Sequence, residues 1–199
     1  MELNIQKLYG NWKKGFALDL HTVSSKPLEL DENGKVLKWD TTYTELGEEL
    51  HKLKYWKEIG RVENIALPAS EFINDCKSEW LPDVIIPIPP SDQNRFFQPV
   101  YELAKSIGEK CNLPVDFVIL KKVKPTFELK SVYDSIQRRE ILKDAFDVEP
   151  NSLSGKHVLL FDDLYRSGET LQAVTEILLN KAKAQRVYVL TITKTRSIR

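Results

Sequence analysis

The sequence predicts an α/β protein in which helices flank a doubly wound, mainly parallel sheet. Three observations carry this expectation. Short apolar runs, DVIIPIP at 83–89, VDFVIL at 115–120, KHVLLFDD at 156–163 and RVYVLTITKT at 186–195, have the near-continuous hydrophobicity of strands covered on both faces. Segments of helical length alternate with them, as the crossovers between parallel strands require. A chain of 199 residues with 42% hydrophobic residues can bury one such core and leaves little room for two full domains.

The elements follow in order. FALDLHTV reads as a strand, DENG as a turn with Asn33-Gly34 as its hairpin signal, and KVLKWDTTYT as the returning strand. Residues 1–43 are therefore expected to form an N-terminal hairpin segment and residues 44–199 the core domain. All four tryptophans (Trp12, Trp39, Trp56 and Trp80) fall in the first 80 residues, which marks this part as packed. From Thr44 the period changes: Leu46, Leu50 and Leu53 share one face of a short helix, TELGEELHKLKYW, with Thr44 as its N-cap. Residues 65–79 read as helix. FQPVYELAKSIGEKC, 97–111, is an amphipathic helix with Pro99 in its first turn. Leu171, Val174, Ile177 and Leu178 share the apolar face of a helix over 169–184.

Composition excludes several function classes. No apolar run reaches the ~20 residues of a membrane span, and MELNIQKLYGNWKK lacks the apolar core of a secretory signal. Cys76 and Cys111 alone suit neither a Cys-rich zinc site nor a disulfide scaffold, so a reducing cytoplasmic location is expected. Lys plus Arg (29) balance Asp plus Glu (29), which leaves no bulk field for gripping nucleic acid directly. The balance is uneven along the chain. Residues 121–143 carry seven basic residues against Glu128, Asp134 and Glu140, and residues 181–199 carry six with no acid. Such segments suit an anionic ligand or a solvated face equally.

The chemistry concentrates in VLLFDDLYRSGET, residues 158–170. Four apolar residues end in Asp162 and Asp163, and a short loop with Ser167, Gly168 and Thr170 then opens a helix. Ligands of open α/β sheets bind at the carboxyl ends of strands, and a helix N-terminus offers free N–H groups to a phosphate. Gly168 lets the backbone approach the anion, Ser167 and Thr170 can donate to it, and the two carboxylates suit sugar hydroxyls. Together these parts describe a pocket for a ribose 5-phosphate. A Walker A loop and a G-x-G-x-x-G fingerprint are both absent. The histidines His21, His51 and His157 show no mutual ligand spacing. His157 reads as structural, and His21 and Asp19 as the polar side of a hairpin.

This stretch resembles the phosphoribosyl pyrophosphate (PRPP) motif of the type I phosphoribosyltransferases: four hydrophobic residues, two acids and a Thr/Ser-Gly-x-Thr loop. The resemblance makes Asp162 and Asp163 the catalytic acids. It makes Leu164, Tyr165 and Arg166, with Ser167, Gly168, Glu169 and Thr170, the 5-phosphate loop. Arg166 departs from the small residue frequent at its position. Over roughly residues 44–199 the chain is similar to the ComF-like branch, without the Cys-rich zinc finger that many of its members carry. DVIIPIPPSDQNRFFQPVYELAKSI matches that branch's strand, proline-rich loop, arginine and helix. This implies a pyrophosphate loop running from Pro89 and Pro90 through Ser91, Asp92, Gln93 and Asn94 to Arg95. KPTFELKSVYDSIQRREILKDAFDV resembles the branch's mobile basic segment, in which Arg138 and Arg139 would add forked contacts to pyrophosphate and Tyr133 could stack on a base.

The implied reaction is displacement at ribose C1 of PRPP by a nitrogen acceptor, with pyrophosphate released. The implied cofactor is Mg²⁺, carried on the ligand's oxygens and touching Asp162 and Asp163. The N-terminal hairpin would be the hood over the acceptor. The partner is PRPP or a nucleotide, and the oligomeric state stays open between a monomer and a homodimer. The alternative is a non-catalytic PRPP- or nucleotide-sensing regulatory protein, or one associated with DNA uptake as ComF-like proteins are.

Overall fold

Parallel pairing organises the main sheet. In the computed structural model, which describes residues 1–34, 36–90, 96–124, 141–142 and 144–196, five strands stand in the order β1-β2-β9-β8-β5. They are β1 (Gln6–Lys7), β2 (Lys14–Leu20), β5 (Val84–Pro87), β8 (His157–Tyr165) and β9 (Arg186–Lys194). All neighbours run parallel except β1, which pairs antiparallel with β2. Between β2 and β5 come a two-stranded ribbon, β3 (Thr22–Leu30) with β4 (Val36–Tyr43), and the helices α1 (Glu45–His51) and α2 (Arg61–Trp80). Helix α3 (Pro99–Cys111) follows β5, a small pair β6 (Lys121–Lys122) with β7 (Phe146–Asp147) precedes β8, and α4 (Glu169–Asn180) joins β8 to β9.

The apolar runs are continuous because each central strand is covered twice. Successive side chains of β8 go to opposite faces: Val158 and Leu160 pack with Leu171, Val174 and Leu178 of α4, whereas Leu159 and Phe161 pack with α1, α2 and α3. Trp80 at the end of α2 stacks on Phe16 at 5.7 Å and on Tyr188 at 5.3 Å, which ties that helix to β2 and β9.

Two local readings differ from the sequence pattern. VDFVIL at 115–120 is not a strand: Val115 makes a single bridge to Ile85, and the Asp116 carboxylate then accepts from the N–H groups of Val118 and Ile119, both at 2.8 Å. This Asx-type turn satisfies the backbone without a ladder. The run FALDLHTV is divided at His21. Its first part joins the main sheet as β2, and its second part belongs to the ribbon. Within residues 1–43, the piece that stands off the sheet is thus Thr22–Tyr43. Thr44 caps α1 as its side chain suggests, accepting from Gly47 N at 3.0 Å and donating to Leu20 O at 2.6 Å. After His51 the helix widens into a π turn, Lys52–Trp56, closed by left-handed Lys57.

Candidate functional site

The carboxyl end of β8 feeds directly into α4, and the loop between them surrounds a cleft of about 380 Å³. Asp162, Leu164, Tyr165, Arg166, Ser167, Gly168, Glu169 and Thr170 line it together with Leu142. Gly168 is the N-cap of α4 with φ +78°, in the left-handed region where glycine is unstrained. A Cβ at this position would lie 2.5 Å from the Tyr165 hydroxyl oxygen, so the ring and the bare backbone fit one another. Thr195 N donates to Tyr165 O at 2.9 Å and fixes that corner against the end of β9. The Lys194 ammonium lies 5.8 Å from the centre of the Tyr165 ring. Arg166 and Ser167 are exposed at the rim. The first amides of α4 thus open onto a cleft with a cationic side chain at its edge, which suits an anion.

The two acids do different things. Strand alternation turns Asp162 into the cleft and Asp163 to the opposite face of β8, where it is 6% exposed. There the Lys54 ammonium, supplied by the π turn, lies 2.7 Å from Asp163 Oδ2. Burial works against the charge of Lys54, but Asp163 beside it offsets this and holds its pKa above the ordinary lysine value. The Asp162 carboxyl is pushed the other way. Burial first, then the neighbouring Asp163 charge, raises its pKa to about 7, although Lys54 and the bond from Asp163 N to Asp162 Oδ1 (2.9 Å) oppose this.

Beyond Lys54 lies a group that residue spacing could not reveal. His21 follows β2 beside Thr193, with Nδ1 3.1 Å from the threonine Oγ1. Its ring meets Tyr43 edge-on at 5.3 Å, Tyr43 meets His51 at 4.6 Å, and His51 meets Tyr55 at 4.7 Å. Burial, then the Lys54 charge, lowers the pKa of His21 to about 4, so the imidazole is neutral at pH 7. His157 has the structural role expected of it, with Nδ1 3.3 Å from Trp80 O. Asp19 is buried, accepting from Leu20 N at 2.7 Å, rather than standing on a polar hairpin face.

Ile88, Pro89 and Pro90 follow β5, and Ile88 N donates to Phe161 O at 2.8 Å, so this loop begins beside the acidic end of β8. Ser91, Asp92, Gln93, Asn94 and Arg95 lie outside the described residues, as do Tyr133, Arg138 and Arg139. Among the described residues no group of three or more His, Cys, Asp or Glu side chains could hold a metal ion. With Asp163 already facing Lys54, Asp162 alone does not make a site for a protein-held divalent ion. Lys54 itself escaped the sequence reading. Its signal was its spacing, since 46, 50 and 54 follow the i, i+4 rule and place a lysine on the apolar side of a helix.

The chain is similar to several known proteins. The competence protein ComFC of Bacillus subtilis (strain 168) is 30% identical over 136 residues, 62% of this chain and 53% of that protein. The chain therefore spans about half the length of this curated relative. Among solved structures, a purine phosphoribosyltransferase from Pyrococcus horikoshii Ot3 is similar with a TM-score of 0.40 at 17% identity, covering 71% of this chain and 85% of that one. A hypoxanthine phosphoribosyltransferase from Trypanosoma cruzi is similar at 0.41 and 15% identity, covering 67% of each chain. No described helix is long and apolar enough to cross a membrane. The model of the phosphoribosyl transferase domain matches residues 55–197, a span that includes β8, its loop and α4, and the chain belongs to that family.

Proposed function

We propose that the chain binds PRPP or a nucleoside 5-monophosphate in the β8–α4 cleft and transfers phosphoribose to a nitrogen acceptor, releasing pyrophosphate. The observation that carries this reading is the pairing of Gly168, left-handed at the N-cap of α4, with Asp162 in the same cleft. The loop amides and Arg166 take the 5-phosphate, and Asp162 accepts from ribose hydroxyls. Pyrophosphate then extends toward Pro90, with Ser91, Arg95, Arg138 and Arg139 assigned to it from the sequence alone. Mg²⁺ arrives with PRPP, held by that ligand's own oxygens. Catalysis on this reading is positioning and charge stabilisation, and no side chain of the protein is a nucleophile. The Thr22–Tyr43 ribbon, with His21 and Tyr43 at its base, is the hood over the acceptor. The setting is a reducing cytoplasm, where Cys76 and Cys111 stay free.

A non-catalytic PRPP- or nucleotide-sensing protein is the second reading, favoured by the likeness to a competence protein. A screen for pyrophosphate release with PRPP, Mg²⁺ and a panel of nucleobases, amines and glutamine separates the two. Release with one acceptor supports the transferase. PRPP-dependent thermal stabilisation without release from any acceptor supports the sensor.

A further inference from the structure

The β3–β4 ribbon stands off the main sheet with most of its side chains in water, among them Leu28, Leu30, Leu37 and a half-exposed Trp39. A two-stranded ribbon without a covering layer is marginal on its own, and its two free edges are unlike. Along β3, Pro27 has no N–H to give and the register shifts at Val23 and Leu28, so this edge is blunted against pairing. Along β4, residues 38–43 hold no proline and pair without a skipped residue. We infer that the free edge of β4 is a dimer interface. Two copies of the chain pair β4 antiparallel with β4 about a two-fold axis at Trp39, and the two ribbons form one four-stranded sheet.

The sequence of β4 is complementary to itself in this arrangement. Pairing centred on residue 39 sets Lys38 opposite Asp40 of the partner subunit, and symmetry repeats the contact. Residues directly opposite share a face, so the charges meet on one face and the two Trp39 rings on the other. The ribbon's own register extends the match, because Lys26 lies opposite Asp40 and Glu29 opposite Lys38. One row across the four strands then runs Lys26, Asp40, Lys38 of the partner subunit and Glu29 of the partner subunit, with the sign alternating at each step. The register is specific. Moving the axis one residue either way sets Lys38 against its own copy or Asp40 against its own copy, which like charges disfavour. The axis uses both open edges and leaves the blunted β3 edges outside, so assembly closes at two copies. This pairing does not depend on what the β8–α4 cleft binds.

Sedimentation equilibrium of the full chain tests this with Lys38→Glu and Asp40→Lys. The parent is expected to form a concentration-dependent dimer. Each variant alone sets like charges opposite one another at both symmetric contacts, so its dimer should weaken roughly tenfold or more. An equimolar mixture of the two variants should regain the parent's affinity. There the reversed charge at position 38 of one copy meets the reversed charge at position 40 of the other, and the second contact keeps Asp40 opposite Lys38. Both positions are exposed, so neither variant threatens the fold. Cross-linking checks the register independently. Trp39→Cys in a Cys76→Ser background places its thiol at the two-fold axis and should form an intersubunit disulfide under mild oxidation. Lys26→Cys, one strand further out, should not. A monomeric parent overturns the inference, as does a dimer indifferent to both charge reversals. A mixture no stronger than its components, or the lack of a Trp39→Cys cross-link, overturns it equally.

Discussion

Lys54 and Asp163 join two parts of the chain that lie more than a hundred residues apart: the π turn after α1 and the carboxyl end of β8 meet through one ion pair at 2.7 Å. The N-terminal elements are thereby tied to the strand end that carries the candidate site. Breaking a largely buried pair from one side leaves an uncompensated charge. Lys54→Met should therefore destabilise the fold by about 2–4 kcal/mol, and adding Asp163→Asn should recover most of that. Urea unfolding of the parent, the single and the double variant measures this. Equal midpoints for parent and Lys54→Met would reduce the pair to a surface contact.

Gly168 is held to glycine twice, by its φ of +78° and by Tyr165. Gly168→Ala should cost about 1–2 kcal/mol of stability from the left-handed backbone. It should also displace Tyr165 and weaken phosphate binding. Thermal melts with and without PRPP report both effects, and an alanine variant with parent stability and affinity would refute the tight fit.

Asp162 gives the stability a definite pH dependence. Its pKa in the folded chain, about 7, exceeds the 3.8 of an ordinary aspartate. Between those values the folded state keeps a proton that the unfolded chain has lost, so this group subtracts stability as pH rises through the window. Asp162→Asn keeps the Oδ1 acceptor for Asp163 N and removes the titration. At pH 8 the variant should be more stable than the parent, by on the order of 1 kcal/mol or more, because the carboxylate is largely buried and poorly solvated. Near pH 4 the gain should vanish. A gain that is constant across this range would assign the effect to something other than the carboxyl charge.

His21 carries the opposite sign. A pKa lowered to about 4 means that the folded state resists a proton the unfolded chain accepts near 6.5. Its contribution to stability is complete above 6.5 and is lost as pH falls toward 4. An NMR titration of the imidazole should find His21 neutral at pH 6 with a midpoint near 4. A midpoint at or above 6.5 would place the ring in water, away from Lys54 and Thr193.

Much of this was legible because the physics is local. The buried strands announce themselves as apolar runs, Thr44 and Pro99 mark helix starts, and the Asp162–Thr170 order places a Ser-Gly loop on a helix N-terminus. What escaped was set by tertiary geometry. VDFVIL has strand composition, yet the Asp116 carboxylate closes a turn on its own backbone. A period of two does separate Asp162 from Asp163, but which face holds the cleft depends on where α4 and the π turn pack. Lys54, Tyr43 and His21 converge only after β2, the ribbon and α1 fold over the sheet, and no spacing in the chain records that meeting.

The central claim is that the β8–α4 cleft is a phosphoribosyl site, and calorimetric titration of PRPP into the parent and into Asp162→Asn tests it most directly. The expected result is saturable heat in the parent and at least tenfold weaker binding in a folded Asp162→Asn variant, the loss of one hydrogen bond to a charged acceptor. No heat at millimolar PRPP, or unchanged affinity in the variant, would contradict it.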